Sequence, residues 1–184
     1  MTDADALSMA RAYALASRAH ADQTRKGEAG IPYINHCCEV AELVAEAGAP
    51  VAVVVAAVLH DVVEDSETTV AEIGMRFGAE VAAMVGGMTD PPERDALPRG
   101  EKKARQAEHM ATAPDEVRTI KIADQTSNVR DIVREPGAWE AADAADYVAG
   151  AERVVAACRG AAPELERVFD AAVAEAMMKI GGPR

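Results

Sequence analysis

An all-α fold of about eight to ten helices is what this sequence predicts, and three observations carry the prediction. Alanine, the strongest helix former, supplies 41 of the 184 residues. Apolar residues recur at helical spacing in the segments between Gly/Pro breakers. No alternating apolar–polar run is long enough to read as a strand, and there is no internal repeat.

The breakers fall at 27–32, 48–50, 86–100, 136–137, 160–163 and 181–183. Residues 4–23 place Leu7, Ala10, Tyr13, Ala14 and Ala21 at helical spacing. Residues 35–47 set Val40, Leu43, Val44 and Ala47 on one face. Residues 51–64 are apolar nearly all round, the mark of a buried central helix. Thr68 or Thr69 with Glu72 forms a capping-box pattern that opens a short helix to Phe77. Gly78 leads into a helix over 79–88, and 101–112 make a charged helix. Pro114 suits the first turn of a helix over 114–134. Helices over 138–158 and 163–179 close the chain. The stretch 86–100, rich in Pro, Gly and charge, is the expected flexible flap over a site.

A chain of 184 residues that is 49% hydrophobic has the size and composition of one domain with a real core. Its net charge of −12 argues against nucleic acid or an anionic membrane as partner, because the long-range field repels both. Cations clustered locally could still hold an anionic small molecule. No apolar run is long enough for a membrane span, and the first twenty residues lack a signal-peptide pattern. Cys37, Cys38 and Cys158 are odd in number, with two adjacent, and make no disulfide framework. A reducing cytoplasm is the expected location.

The chemistry starts at His60-Asp61, which ends the most apolar segment of the chain. Ionisable groups there are costly unless paired or metal-bound. Glu64 and Asp65 follow, at i+4 from His60 and Asp61. Three carboxylates and an imidazole within six residues call for a compensating cation. His36 at the head of one helix and Asp124 inside another complete a set of two His and two Asp. Such an N/O set suits Mn²⁺ or Fe²⁺ with open water positions better than a thiolate zinc site. Cys37 and Cys38 read as reduced packing residues.

The order RKG…PYINH, HDVVED, FG, then KIAD with Asn four residues past the Asp, resembles the HD-domain hydrolases of the RelA/SpoT homologue superfamily. Among these it is most similar to the small alarmone hydrolases of the metazoan SpoT-homologue type. The resemblance spans about residues 5–178 and implies a single HD hydrolase domain over 1–184. It implies that His36, His60, Asp61 and Asp124 bind one Mn²⁺, with Fe²⁺ or Zn²⁺ as substitutes. It also implies that Glu64 and Asp65 orient or deprotonate the attacking water. Arg25 and Lys26 would pack along the nucleotide base. Asn128 would lie near the ribose and phosphates, Tyr147 in the nucleotide pocket, and Lys103 at a phosphate. The implied reaction removes the 3′-pyrophosphate from (p)ppGpp or (p)ppApp. A phosphatase acting on another nucleotide, such as NADPH, is a second reading, and a non-catalytic alarmone-binding module is a third. The partner in every case is a small nucleotide; nothing in the sequence sets the oligomeric state.

Two departures from the family pattern stand out. Cys37 follows the ligand histidine where proline is usual, and Gln125-Thr126-Ser127 replaces a basic or bulky apolar stretch. Lying between Asp124 and Asn128, residues 125–127 are expected to bias the choice between guanine and adenine.

Overall fold

The computed structural model describes residues 2–27, 30–91 and 96–181. Ten α-helices account for most of them: α1 Asp3–Ala19, α2 Ile34–Glu46, α3 Val51–Leu59, α4 Val62–Asp65, α5 Val70–Phe77, α6 Ala79–Met88, α7 Arg99–Met110, α8 Asp115–Arg134, α9 Ala141–Cys158 and α10 Pro163–Gly181. A 3-10 turn at Pro136–Ala138 precedes α9. Among the described residues the only β-type pairing is an isolated bridge between Thr24 and Pro32.

Two helices make the centre. In α3 every residue from Val53 to Leu59 is buried, and the helix packs against α1, α2, α6 and α8. In α8 a continuous run from Thr119 to Ser127 is buried, between α2, α6, α9 and α10. That run includes Lys121, Asp124, Gln125 and Ser127, so the middle of α8 carries polar chemistry into the core.

Local chemistry sets most boundaries. Thr2 and Asp5 close a reciprocal capping box on α1, and Thr69 with Glu72 does the same for α5. Gly78 alone joins α5 to α6, at a φ of +93° that a side chain would resist.

Three expectations are corrected. The apolar segment 51–64 is two helices, broken at His60-Asp61. His60 Nδ1 donates to Ala57 O at 2.8 Å, taking the carbonyl that a continuing helix would offer to the Asp61 N–H. Helix α1 stops at Ala19 rather than 23, and residues 23–25 pair with 31–33: Arg25 N donates to Ile31 O (2.8 Å) and Tyr33 N to Gln23 O (2.9 Å). The expected flap 86–100 is shorter, because α6 runs to Met88 and α7 begins at Arg99. Gly87 lies within α6 where it packs on α8, and a Cβ there would lie 3.0 Å from Val117 Cγ2. Residues 92–95 of the flap lie outside the described residues. No described helix is long and apolar enough to cross a membrane.

Candidate metal centre and nucleotide pocket

Three elements converge. Helix α2 supplies His36 from its first turn, the break after α3 supplies His60 and Asp61, and mid-α8 supplies Asp124. His36, His60 and Asp124, all buried, each offer a ligand atom within 4.8 Å of the others. The His36 and His60 Nε2 atoms are 3.2 Å apart, and Asp124 Oδ1 is 3.4 Å from His36 Nε2. Asp61 Oδ2 lies 3.0 Å from His60 Nε2 and 3.6 Å from His36 Nε2, and accepts from the Tyr33 hydroxyl at 2.7 Å.

This donor set fits a divalent cation. Because a carbonyl only accepts, His60 Nδ1 carries a proton, and Nε2 is left to face a second imidazole nitrogen and two carboxylates. Positive charge at that point, whether a proton on Nε2 or a divalent cation, compensates the carboxylates. Burial holds His36 below its ordinary pKa and so keeps it neutral. Burial would lower His60 as well, but Asp61 and then Asp124 outweigh it and push His60 up to about 9. The field that draws a proton there draws a metal ion.

Asp124 is the hub of the hydrogen bonds. Its Oδ2 accepts from Lys121 Nζ (3.1 Å) and Gln125 Nε2 (2.8 Å), and its Oδ1 from Asn128 Nδ2 (2.5 Å). Burial alone would raise this carboxyl; Lys121 and His36 hold it well below the usual range. Asn128 Oδ1 accepts from Arg25 Nη2 at 2.7 Å, and Arg25 Nε donates to Asp131 at 2.7 Å. Lys103 Nζ donates to Gln125 Oε1 at 2.6 Å and lies 5.1 Å from the Tyr147 ring centre. Burial pushes the Lys103 ammonium down to about 8. Lys26 Nζ sits 3.5 Å over the Trp139 ring, which meets Tyr147 edge-on at 5.1 Å. Arg25, Lys26, Lys103, Asn128 and Tyr147 therefore belong to one connected wall running out from Asp124.

Glu64 and Asp65 diverge. The Glu64 carboxylate accepts from the Asp90 N–H at the root of the flap. Desolvation, with the charge of Asp61 adding to it and the Asp90 N–H bond opposing it, pushes the carboxyl up to about 7. Asp65 turns instead toward α1, with Oδ2 3.6 Å from His20 Nδ1.

Residues 125–127, expected to bias the choice of base, are packed inward: Gln125, Thr126 and Ser127 are at most 2% exposed. Gln125 braces Asp124 and Lys103, Thr126 donates to Ile122 O at 2.7 Å, and Ser127 sits behind His36. Sequence reasoning also missed Tyr33 as the partner of Asp61 and Lys121 as the partner of Asp124. The signal for Lys121 was its i−3 spacing from Asp124 on a helix.

An all-helical domain with a His/His/Asp centre split between an HD dipeptide and two other helices defines the HD-domain class. The HD-domain family model matches residues 12–150, and the chain belongs to that family. Guanosine-3′,5′-bis(diphosphate) 3′-pyrophosphohydrolase MESH1 of Danio rerio is 38% identical over 154 residues, 82% of this chain and 84% of that protein. The Homo sapiens MESH1 is 36% identical over 168 residues, 90% of this chain and 92% of its own. A solved structure of a metazoan ortholog of SpoT that hydrolyses ppGpp has a TM-score of 0.81 at 30% identity, covering 90% of this chain and 93% of that one. The chain is thus a homologue of the MESH1-type pyrophosphohydrolases, as the motif resemblance implied.

Proposed function

We propose that this chain is a Mn²⁺-dependent pyrophosphohydrolase that removes the 3′-pyrophosphate from purine alarmone nucleotides, (p)ppGpp first and (p)ppApp beside it. The observation that carries the reading is the convergence of His36, His60 and Asp124 beside Asp61 in a homologue of ppGpp hydrolases. In this reading the four residues hold one Mn²⁺. Their N/O donors would also accept Fe²⁺ or Zn²⁺. When bound, the ion supplies Lewis acidity, lowering the pKa of a water and polarising a phosphoryl oxygen.

The chain's own groups do the rest. Glu64, pushed up to about 7, is suited to take a proton from water near neutrality. Asp65 supports the orientation of that water. The water oxygen bonds to the phosphorus attached to the 3′-oxygen, the 3′ O–P bond breaks, and the 3′-oxygen takes a proton. The products are the parent nucleotide and pyrophosphate. Lys103 counters the charge on the leaving phosphates. Arg25 and Lys26 flank the base, with Asn128 and Tyr147 toward the ribose. Residues 1–184 serve as one hydrolase domain, and the free state of Cys37, Cys38 and Cys158 supports a cytoplasmic home.

The test is a turnover panel with Mn²⁺ and ppGpp, pppGpp, ppApp, pppApp and NADPH, with products identified. Pyrophosphate from the 3′-position of ppGpp or ppApp is expected. Orthophosphate from NADPH, with no alarmone turnover, would replace the reading with that of a nucleotide phosphatase.

A further inference from the structure

On the side of His36 away from the other donors, Nδ1 lies 2.9 Å from Ser127 Oγ. Ser127 Oγ in turn lies 2.7 Å from Glu39 Oε2. Two arginines grip Glu39: Arg130 at 2.9 Å and Arg134 at 2.6 Å, both to Oε1, with a second Arg134 bond of 2.7 Å to Oε2.

The proton order along this line follows from what each group can do. Paired with two guanidinium groups, Glu39 is an acceptor only. The serine hydroxyl has one proton, which goes to Glu39, so its oxygen accepts from His36 Nδ1–H. A neutral imidazole carries one ring proton. With it on Nδ1, the lone pair stands on Nε2, the nitrogen that faces His60, Asp61 and Asp124.

We propose that Ser127 and Glu39 are positioning residues that lock His36 in the Nδ1–H tautomer and in the ring orientation that offers Nε2 to a divalent cation. The proposal rests on the metal reading above. Ring partners of this kind fix the tautomer of a metal-binding histidine and raise its basicity, and losing one commonly weakens metal binding ~10- to 100-fold. Here a serine spans the gap between carboxylate and imidazole. Glu39 is three residues past His36 on α2, and Ser127 is three past Asp124 on α8. The relay therefore joins two of the ligand-bearing helices, and the arginine clamp at the end of α8 holds its far terminus.

Two measurements on the full chain test it. The first is Mn²⁺ affinity by titration of metal-stripped protein for the parent, Ser127→Ala and Glu39→Gln. Ser127→Ala should raise the Kd by ~10- to 100-fold, and Glu39→Gln should raise it by less. The second is long-range ¹H–¹⁵N NMR of the metal-free parent labelled at histidine, which should place the His36 proton on Nδ1; Glu39→Gln should weaken that preference. A purely structural role would lower thermal stability and leave both readouts unmoved. Should Ser127→Ala fail to fold, Glu39→Gln carries both arms. Parent-like Mn²⁺ affinity in the variants, or a His36 proton on Nε2, overturns the relay. A parent that binds no Mn²⁺ overturns the metal reading instead, and the tautomer arm still decides the relay.

Discussion

Lys121 places a 6% exposed ammonium beside an equally buried carboxylate, Asp124. Burial would push this lysine down, but Asp124 and then Asp61 outweigh it and hold it above its ordinary value. A buried ion pair adds little net stability, whereas removing one partner costs ~3–5 kcal/mol because the other charge is stranded. Lys121→Met should therefore destabilise the metal-stripped protein by about that amount in urea unfolding. Mn²⁺ should recover part of the loss, since the cation compensates the same carboxylates. An equal loss with and without metal would show that Lys121 does not share their field. Glu64 is the second informative residue. Glu64→Gln should lower kcat by ~10²–10⁴ while the metal content stays at the parent level, and the acid limb of the pH–rate profile should disappear with it. Loss of metal together with activity would make Glu64 a ligand rather than a base. At this scale the sequence exposed the charged residues well. It did not reveal where they point: Glu64 and Asp65 are neighbours that face the flap and α1 respectively. The sequence likewise did not show that the packing of α8 buries residues 125–127.

Between elements, the contact that ties α2 to α8 titrates. Burial alone would raise the Glu39 carboxyl, but hydrogen bonds from Arg134, Arg130 and Ser127 bring it down to about 2. A carboxyl depressed in the folded state contributes its full stability above the unfolded value, near 4.5, and loses it as the pH falls toward 2. Between pH 6 and 3 the linked loss is about 2 kcal/mol. Unfolding free energies of the parent should fall by that much more over this range than those of Glu39→Gln; parallel curves would mean that the clamp is not formed. A smaller test sits on α5, where Thr69→Ala removes the capping box and should cost ~1 kcal/mol. The capping pattern, the glycine joint at Gly78 and most helix boundaries were legible, because each depends on a few adjacent residues. The break at His60-Asp61 was not. The apolar pattern resumes at Val62-Val63 on the far side of it, and the bond from the His60 side chain to Ala57 O takes a carbonyl from the ladder.

Across the whole molecule, the acidic surface and the site divide the labour. A net charge of −12 disfavours polyanions, while Arg25, Lys103 and Lys121 bring positive charge to the surroundings of Asp124. The proposed substrate, a small anionic nucleotide, is compatible with that division. The all-α class was readable from alanine content and helical periodicity, and the grouping of His36, His60 and Asp124 from motif order, because both survive without coordinates. Hydrogen-bonded chains such as Arg25–Asn128–Asp124 and Lys103–Gln125–Asp124 were not, since they require α8 to be packed against its neighbours. The central claim is that alarmone hydrolysis depends on one cation held by His36, His60, Asp61 and Asp124. It is tested most directly by titrating Mn²⁺ into metal-stripped protein while following pyrophosphate release from ppGpp, for the parent and for Asp124→Asn. The account predicts no turnover without metal, full recovery at one equivalent for the parent, and no recovery at that stoichiometry for the variant. Undiminished turnover by the stripped parent, or recovery of Asp124→Asn at one equivalent, would contradict it.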